Sequence, residues 1–76
     1  MESKRYNKEI VQFGENVRRL RIEKGLTQLD LEAATGIDRG DISRIENGRM
    51  DIQFSSITKI AEGLEISTGE LFIFDQ

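Results

Sequence analysis

Between Leu26 and Arg49 two short amphipathic helical patterns stand almost back to back, with only a turn centred on Gly36 between them. Each carries its own start signal. Thr27 is a good N-cap with Asp30 three residues on, and Asp38 is a second cap with Asp41 three residues on, so both helices open on a capping-box-like pattern. The residue before each cap and the fourth residue after it are apolar, Leu26 with Leu31 and Ile37 with Ile42, which adds a hydrophobic staple to the start of each helix. Gly36 follows the first helix, where a left-handed backbone is cheap for glycine, and Gly48 closes the second in the same way. The spacing predicts helices over about Gln28 to Thr35 and Arg39 to Asn47.

Two short helices joined this tightly have the layout of a helix-turn-helix. At about 100° per residue, Ile42 and Ile45 share one face of the second helix, so Gly40, Ser43, Arg44 and Asn47 fall on the other. That outward face is open to a ligand. An α-helix fits the major groove of double-stranded DNA, where an arginine reads guanine through its paired acceptors. Arg39 and Arg44, with Ser43 between them, are the candidate base readers, and Gly40 lets the helix backbone approach the groove. Gln28 begins the first helix, where free backbone N–H groups attract a phosphate.

The run resembles the Cro and phage-repressor (XRE-type) helix-turn-helix family, through Leu26-Thr27-Gln28, Leu31, Gly36-Ile37, Ile42-Ser43 and Ile45-Glu46-Asn47-Gly48. The likeness extends from about Phe13 to Phe72. It implies a lambda-repressor-like domain that binds DNA, with the second helix of the pair as the recognition helix. Small restriction-modification controller proteins in this family have a similar length and often an Asp-Arg-like opening to that helix; here it is Asp38-Arg39, which adds Asp38 to the base-reading group. By the same resemblance Thr27 and Gln28 match a phosphate grip, and Asn47, Arg49, Phe54 and Ser55 a second phosphate clamp. Arg21 and Glu46 match a structural ion pair, and on helical projection each lies just off the buried stripe of its helix. Two residues depart from the family pattern. Glu32 stands where alanine usually packs against the recognition helix, so its stem must lie along the contact while its carboxylate reaches water. Asp41 puts a negative charge near the reading face, where it either accepts from a cytosine amino group or holds Arg44 in an intrahelical pair.

Ahead of this motif, Ile10, Phe13, Val17 and Leu20 recur at helical spacing and predict a helix from about Asn7 to Lys24. Gly14 inside it costs up to about 1 kcal/mol against alanine, which suits a place where another helix comes close. Beyond the motif, Phe54, Ile57, Ile60, Ala61 and Leu64 mark a fourth helix. Ser67 with Glu70 is a full capping box and Ile66 with Leu71 a third staple, so a short fifth helix is expected there. The expected architecture is an all-α five-helix domain over residues 9–74, after a polar lead-in at 1–8. Lys4, Arg5 and Lys8 in that lead-in form either a frayed end or a basic arm reaching DNA. The chain ends on four apolar residues, Leu71, Phe72, Ile73 and Phe74, too many for the one inward stripe of a short helix. They form either a homodimer contact or a cover folded back over their own domain.

Seventy-six residues give one small core, and stability without disulfide or metal has to come from tight helix packing, helped by oligomerisation. The absence of Cys and His removes thiolate and imidazole chemistry and the common zinc sites, and permits a cytoplasmic setting. No nucleophile with its base and no phosphate-cradling glycine loop is visible, so neither catalysis nor a cofactor is expected. No stretch is apolar enough to expect a membrane span. The net charge of −3 argues at first against nucleic acid. Its distribution reverses that argument: residues 1–49 carry ten Lys/Arg against nine Asp/Glu, and residues 50–76 one against five. The acidity lies away from the reading helix. The expected function is a sequence-specific transcription regulator that binds a palindromic operator in double-stranded DNA as a homodimer. The alternative is a protein-interaction module, such as an antitoxin that sequesters a partner and binds its operator secondarily.

Overall fold

The structure, a computed structural model, describes residues 3–73, with side chains described from Lys8 onward. Among the described residues four α-helices follow in order, α1 Ser3–Glu23, α2 Gln28–Thr35, α3 Arg39–Glu46 and α4 Phe54–Leu64, and a 3-10 turn covers Thr68–Phe72. No strand occurs among the described residues. α1 packs against α3 and the 3-10 turn, and α2 lies against both α3 and α4. One core fills the space between them.

The apolar spacing explains which faces meet. Phe13 and Val17 from α1, Leu31 from α2, Ile42 and Ile45 from α3, and Ile57, Ile60, Ala61 and Leu64 from α4 are all buried. Leu26, Ile37 and Ile66, each just ahead of a helical start, pack against that core, as hydrophobic staples require. Gly14 is where α1 crosses the end of α3: a Cβ there would stand 2.0 Å from the Ile45 carbonyl oxygen and 3.1 Å from that of Glu46. Only a residue without a side chain permits so close a crossing. Between α2 and α3, Gly36 adopts φ 79° and sends its N–H to Glu32 O at 2.7 Å. The Thr35 hydroxyl donates to Leu31 O at 2.7 Å and accepts from Ile37 N–H at 3.0 Å, so the turn's polar groups are paired locally.

Three expectations need correction. The fifth helix is a single 3-10 turn. Its capping box is complete, with Ser67 N–H donating to Glu70 Oε1 at 2.9 Å and Glu70 N–H to Ser67 Oγ at 3.3 Å. Ile73 is nevertheless extended, at φ −92° and ψ 104°, so the turn ends after five residues, too short to carry an i to i+4 ladder. α1 begins at Ser3, ahead of the Asn7 start marked by the apolar residues, so most of the polar lead-in is its first turns. The side chains of Lys4 and Arg5, candidates for a basic arm, lie outside the described residues, while Lys8 is exposed. Finally, α3 opens on a cap without a box. Asp38 Oδ2 accepts from Gly40 N–H at 2.8 Å, and the Asp41 carboxylate turns to Arg44 instead of back to the cap.

One buried polar residue is not foreseen from the sequence. Asn16 falls within the apolar stripe of α1 and donates to Leu71 O at 2.7 Å and Glu70 O at 3.4 Å, tying α1 to carbonyls of the 3-10 turn. Its carbonyl oxygen accepts from Arg19 Nη2. A polar side chain at stripe spacing is the signal that could have found it.

Candidate nucleic-acid interface

α3 has one side in the core and the other in solvent. Ile42, Ile45 and Glu46 are buried, Arg39 and Arg44 are exposed, and Gly40 and Ser43 lie between these extremes. Arg39 is the first residue of the helix. Arg44, in the last turn, donates through Nη2 to Asp41 Oδ1. Asp38, expected among the base readers, commits its carboxylate to the helix cap. At the far end Asn47 is exposed and its Nδ2 donates to Ser43 O at 2.9 Å, closing the last turn.

A buried ion pair fixes α3 to α1. Arg21 donates through Nε to Glu46 Oε2 at 2.7 Å and through Nη2 to Glu46 Oε1 at 3.0 Å, and its Nη1 donates to Leu26 O at 2.7 Å. The two side chains are 10% and 1% exposed, so the charges are satisfied by each other and not by water. All three guanidinium nitrogens are turned inward. Arg21 therefore braces the scaffold. Gln28 joins the same carboxylate: its Nε2 donates to Glu46 Oε1 at 3.0 Å. The amide that opens α2 is thereby held against the residue that ends α3.

The other phosphate candidates lie at helix starts and just beyond α3. Thr27 is exposed, and its side chain accepts from Asp30 N–H at 3.0 Å while its own N–H donates to Asp30 Oδ2 at 2.8 Å, a complete capping box. Hydrogen bonding from the Thr27 backbone, and then from its side chain, holds Asp30 below the ordinary aspartate range. Arg49 is exposed beyond α3 and anchored by its N–H to Arg44 O at 2.8 Å. Phe54 and Ser55 open α4 and are exposed, and Gln53 ahead of them makes no side-chain cap bond. The first N–H groups of α4 thus lack the side-chain acceptor that α2 has. Glu32, the departure in α2, is half-buried, as a stem lying along a contact with its head toward water would be.

The tail residues do not stay together. Leu71, expected in a dimer contact, is fully buried in its own core and has no surface to offer. Phe72 is half exposed and tilts against Phe13 with ring centroids 5.1 Å apart, and Ile73 is 67% exposed. Phe74 lies outside the described residues. Among the described residues no helix is long and apolar enough to cross a membrane.

Known proteins share this arrangement. The family described as Helix-turn-helix domain matches residues 14–72. The control protein C.MunI of a Mycoplasma species is 38% identical over 63 residues, covering 82% of this chain and 85% of that protein. The transcriptional repressor RghR of Bacillus subtilis is 44% identical over 55 residues, which are 71% of this chain and 41% of the repressor. The crystal structure of the restriction-modification controller protein C.AhdI from Aeromonas hydrophila superposes with a TM-score of 0.84 at 37% identity, covering 86% of this chain and 98% of that one. With its tightly turned helix pair, the exposed outer face of α3 and these relatives, the chain belongs to the XRE-type helix-turn-helix domain family, a family of DNA-binding transcription regulators and not of enzymes.

Proposed function

We propose that this chain is a small cytoplasmic regulator of the controller type, binding a palindromic operator as a homodimer with α3 in the major groove of each half-site. The observation that carries the reading is the two-sidedness of α3, whose Ile42, Ile45 and Glu46 are buried while Arg39 and Arg44 face solvent. A helix held rigidly on one side and bearing exposed arginines on the other suits base recognition. Arg39, Arg44, Gly40 and Ser43 read bases in this scheme, with Asp38 at the helix cap beside them. Thr27, Gln28, Asn47, Arg49, Phe54 and Ser55 flank them and contact phosphate. The likeness to C.MunI and C.AhdI supports a role in controlling gene expression.

Selection of bound sequences from a random duplex pool tests this directly. The expected result is a consensus with two-fold symmetry and half-sites about one DNA turn, roughly 34 Å, apart. Arg44→Ala should lose roughly 1 to 3 kcal/mol at the selected site and relax preference at one base position, whereas Gln28→Ala should weaken binding to all sequences about equally. A wild type that selects no consensus, or an Arg44→Ala variant that selects an unchanged one, overturns the assignment.

A further inference from the structure

Asp41 stands in the first turn of α3 and Arg44 in its last, and Asp41 Oδ1 accepts from Arg44 Nη2 across one helical turn. The side chains are 35% and 56% exposed, so the pair contributes little to folding stability. Its physical effect is on direction. A long arginine stem has many rotamers, and a base contact must suppress them when the guanidinium docks. A partner that already restricts them in the free protein lowers that cost. The order along the helix, acid before base, also agrees with the helix dipole.

The geometry leaves the reading capacity intact. A guanidinium has five N–H donors in a planar fork, and the contact with Asp41 runs through Nη2 alone, so other donors remain for the N7 and O6 acceptors of a guanine. The carboxylate has a second consequence. Close to the reading face, it repels phosphates of every sequence alike, because backbone attraction is a matter of charge and not of base identity.

We propose that Asp41 is a positioning residue that holds Arg44 for one guanine of the operator, sharpening the choice of base while lowering affinity for DNA in general. The inference rests on the major-groove reading of α3 above. It differs from simple repulsion, which would change affinity and leave base preference alone. It differs also from direct reading of cytosine by Asp41, which would act without Arg44.

The test compares the wild type with Asp41→Asn, Arg44→Ala and the double variant, each against the random duplex pool and against one non-operator duplex at two salt concentrations. Asparagine keeps the shape, and Asp41 is not the acceptor for the helix-capping N–H, which goes to Asp38, so the fold should persist. Asp41→Asn is expected to bind the non-operator duplex roughly 2- to 5-fold more tightly at low salt, an increase that fades at high salt. Its preference for guanine at the Arg44 position should fall roughly 2- to 10-fold. In the Arg44→Ala background, Asp41→Asn should leave the base profile unchanged. An unaltered profile for Asp41→Asn, at a site where Arg44→Ala does alter it, overturns the inference while sparing the reading beneath it. So does a change at a position that Arg44→Ala leaves alone. A wild type without any consensus removes the reading and the inference together.

Discussion

Glu46 is the residue on which three helices converge. Its carboxylate receives two donors from Arg21 and one from Gln28, linking α1, α2 and α3 at a single side chain. Removing one partner from such a site leaves a buried charge without its counter-ion, a loss of about 3 to 5 kcal/mol, whereas removing both relieves much of that penalty. Arg21→Met and Glu46→Gln should therefore each destabilise the fold strongly, and the double variant should lose less than their sum, with a coupling energy of about 1 kcal/mol or more. Urea unfolding of the four proteins measures it, and additive losses would mean that the contact contributes nothing specific. The position of this pair was legible because the family resemblance and the helical projection pointed to the same two residues. The third member was not: nothing in the types or spacing of Gln28 and Glu46 says that an amide at the start of α2 folds back onto a carboxylate at the end of α3. The same limit applied to Asp41, whose carboxylate had two chemically reasonable partners.

At the scale of elements, a start signal does not by itself decide how far a helix runs. α4 runs where apolar spacing indicates, with Ile57, Ile60, Ala61 and Leu64 buried along it and no side-chain cap, and α2 runs from its complete capping box to Gly36 with Leu31 buried. The last element has the start signal alone. Ser67 and Glu70 complete their box, yet Ile73 is extended, and five residues are too few to carry an α-helical ladder. Glycine inside α1 was informative for the opposite reason, since its cost needed a compensating contact. That contact is the crossing with α3. Gly14→Ala makes the prediction sharp because propensity and packing disagree in sign. In an isolated helix alanine would stabilise by up to about 1 kcal/mol, but here the added methyl would stand 2.0 Å from the Ile45 carbonyl oxygen, a backbone atom that cannot swing away. Forcing the helices apart typically costs about 1 to 3 kcal/mol, so the variant should be the less stable. A denaturation midpoint equal to or above that of the wild type would show that the crossing relaxes without strain.

The whole molecule divides its surface by charge and by polarity. Basic residues are concentrated in the portion containing α1 to α3, whereas residues 50–76 carry a single Lys/Arg against five Asp/Glu, so on the proposed reading α3 meets DNA from the neutral to weakly basic part, and only the start of α4 reaches it from the acidic one. At the other extreme of polarity are Phe72 and Ile73, 49% and 67% exposed. Beside Phe72 a mainly apolar groove of about 210 Å³ runs between Phe13, Met50, Ile52 and Ile57, with Glu9 and Asp51 at its lining. Exposed large apolar side chains of this kind on a small domain suit an interface, and a two-fold contact would bury them on both copies at once. Leu71 takes no part, because it belongs to the core, so the expected contact narrows to Phe72 and Ile73 together with Phe74 beyond the described residues. Such a dimer would present two copies of α3 to one face of the duplex, giving a short reading helix the specificity that it lacks alone. The wild type should sediment as a dimer at tens of micromolar, and its thermal midpoint should rise with protein concentration as mass action requires. A variant carrying Ile73→Ser and Phe74→Asp should sediment as a monomer with a concentration-independent midpoint, because neither substitution replaces the buried Leu71. It should also lose affinity for a full palindrome far more than for a single half-site. Two monomers, or two dimers, in that comparison would show that this tail is not the interface, and an unchanged preference for the palindrome would detach dimerisation from DNA recognition altogether.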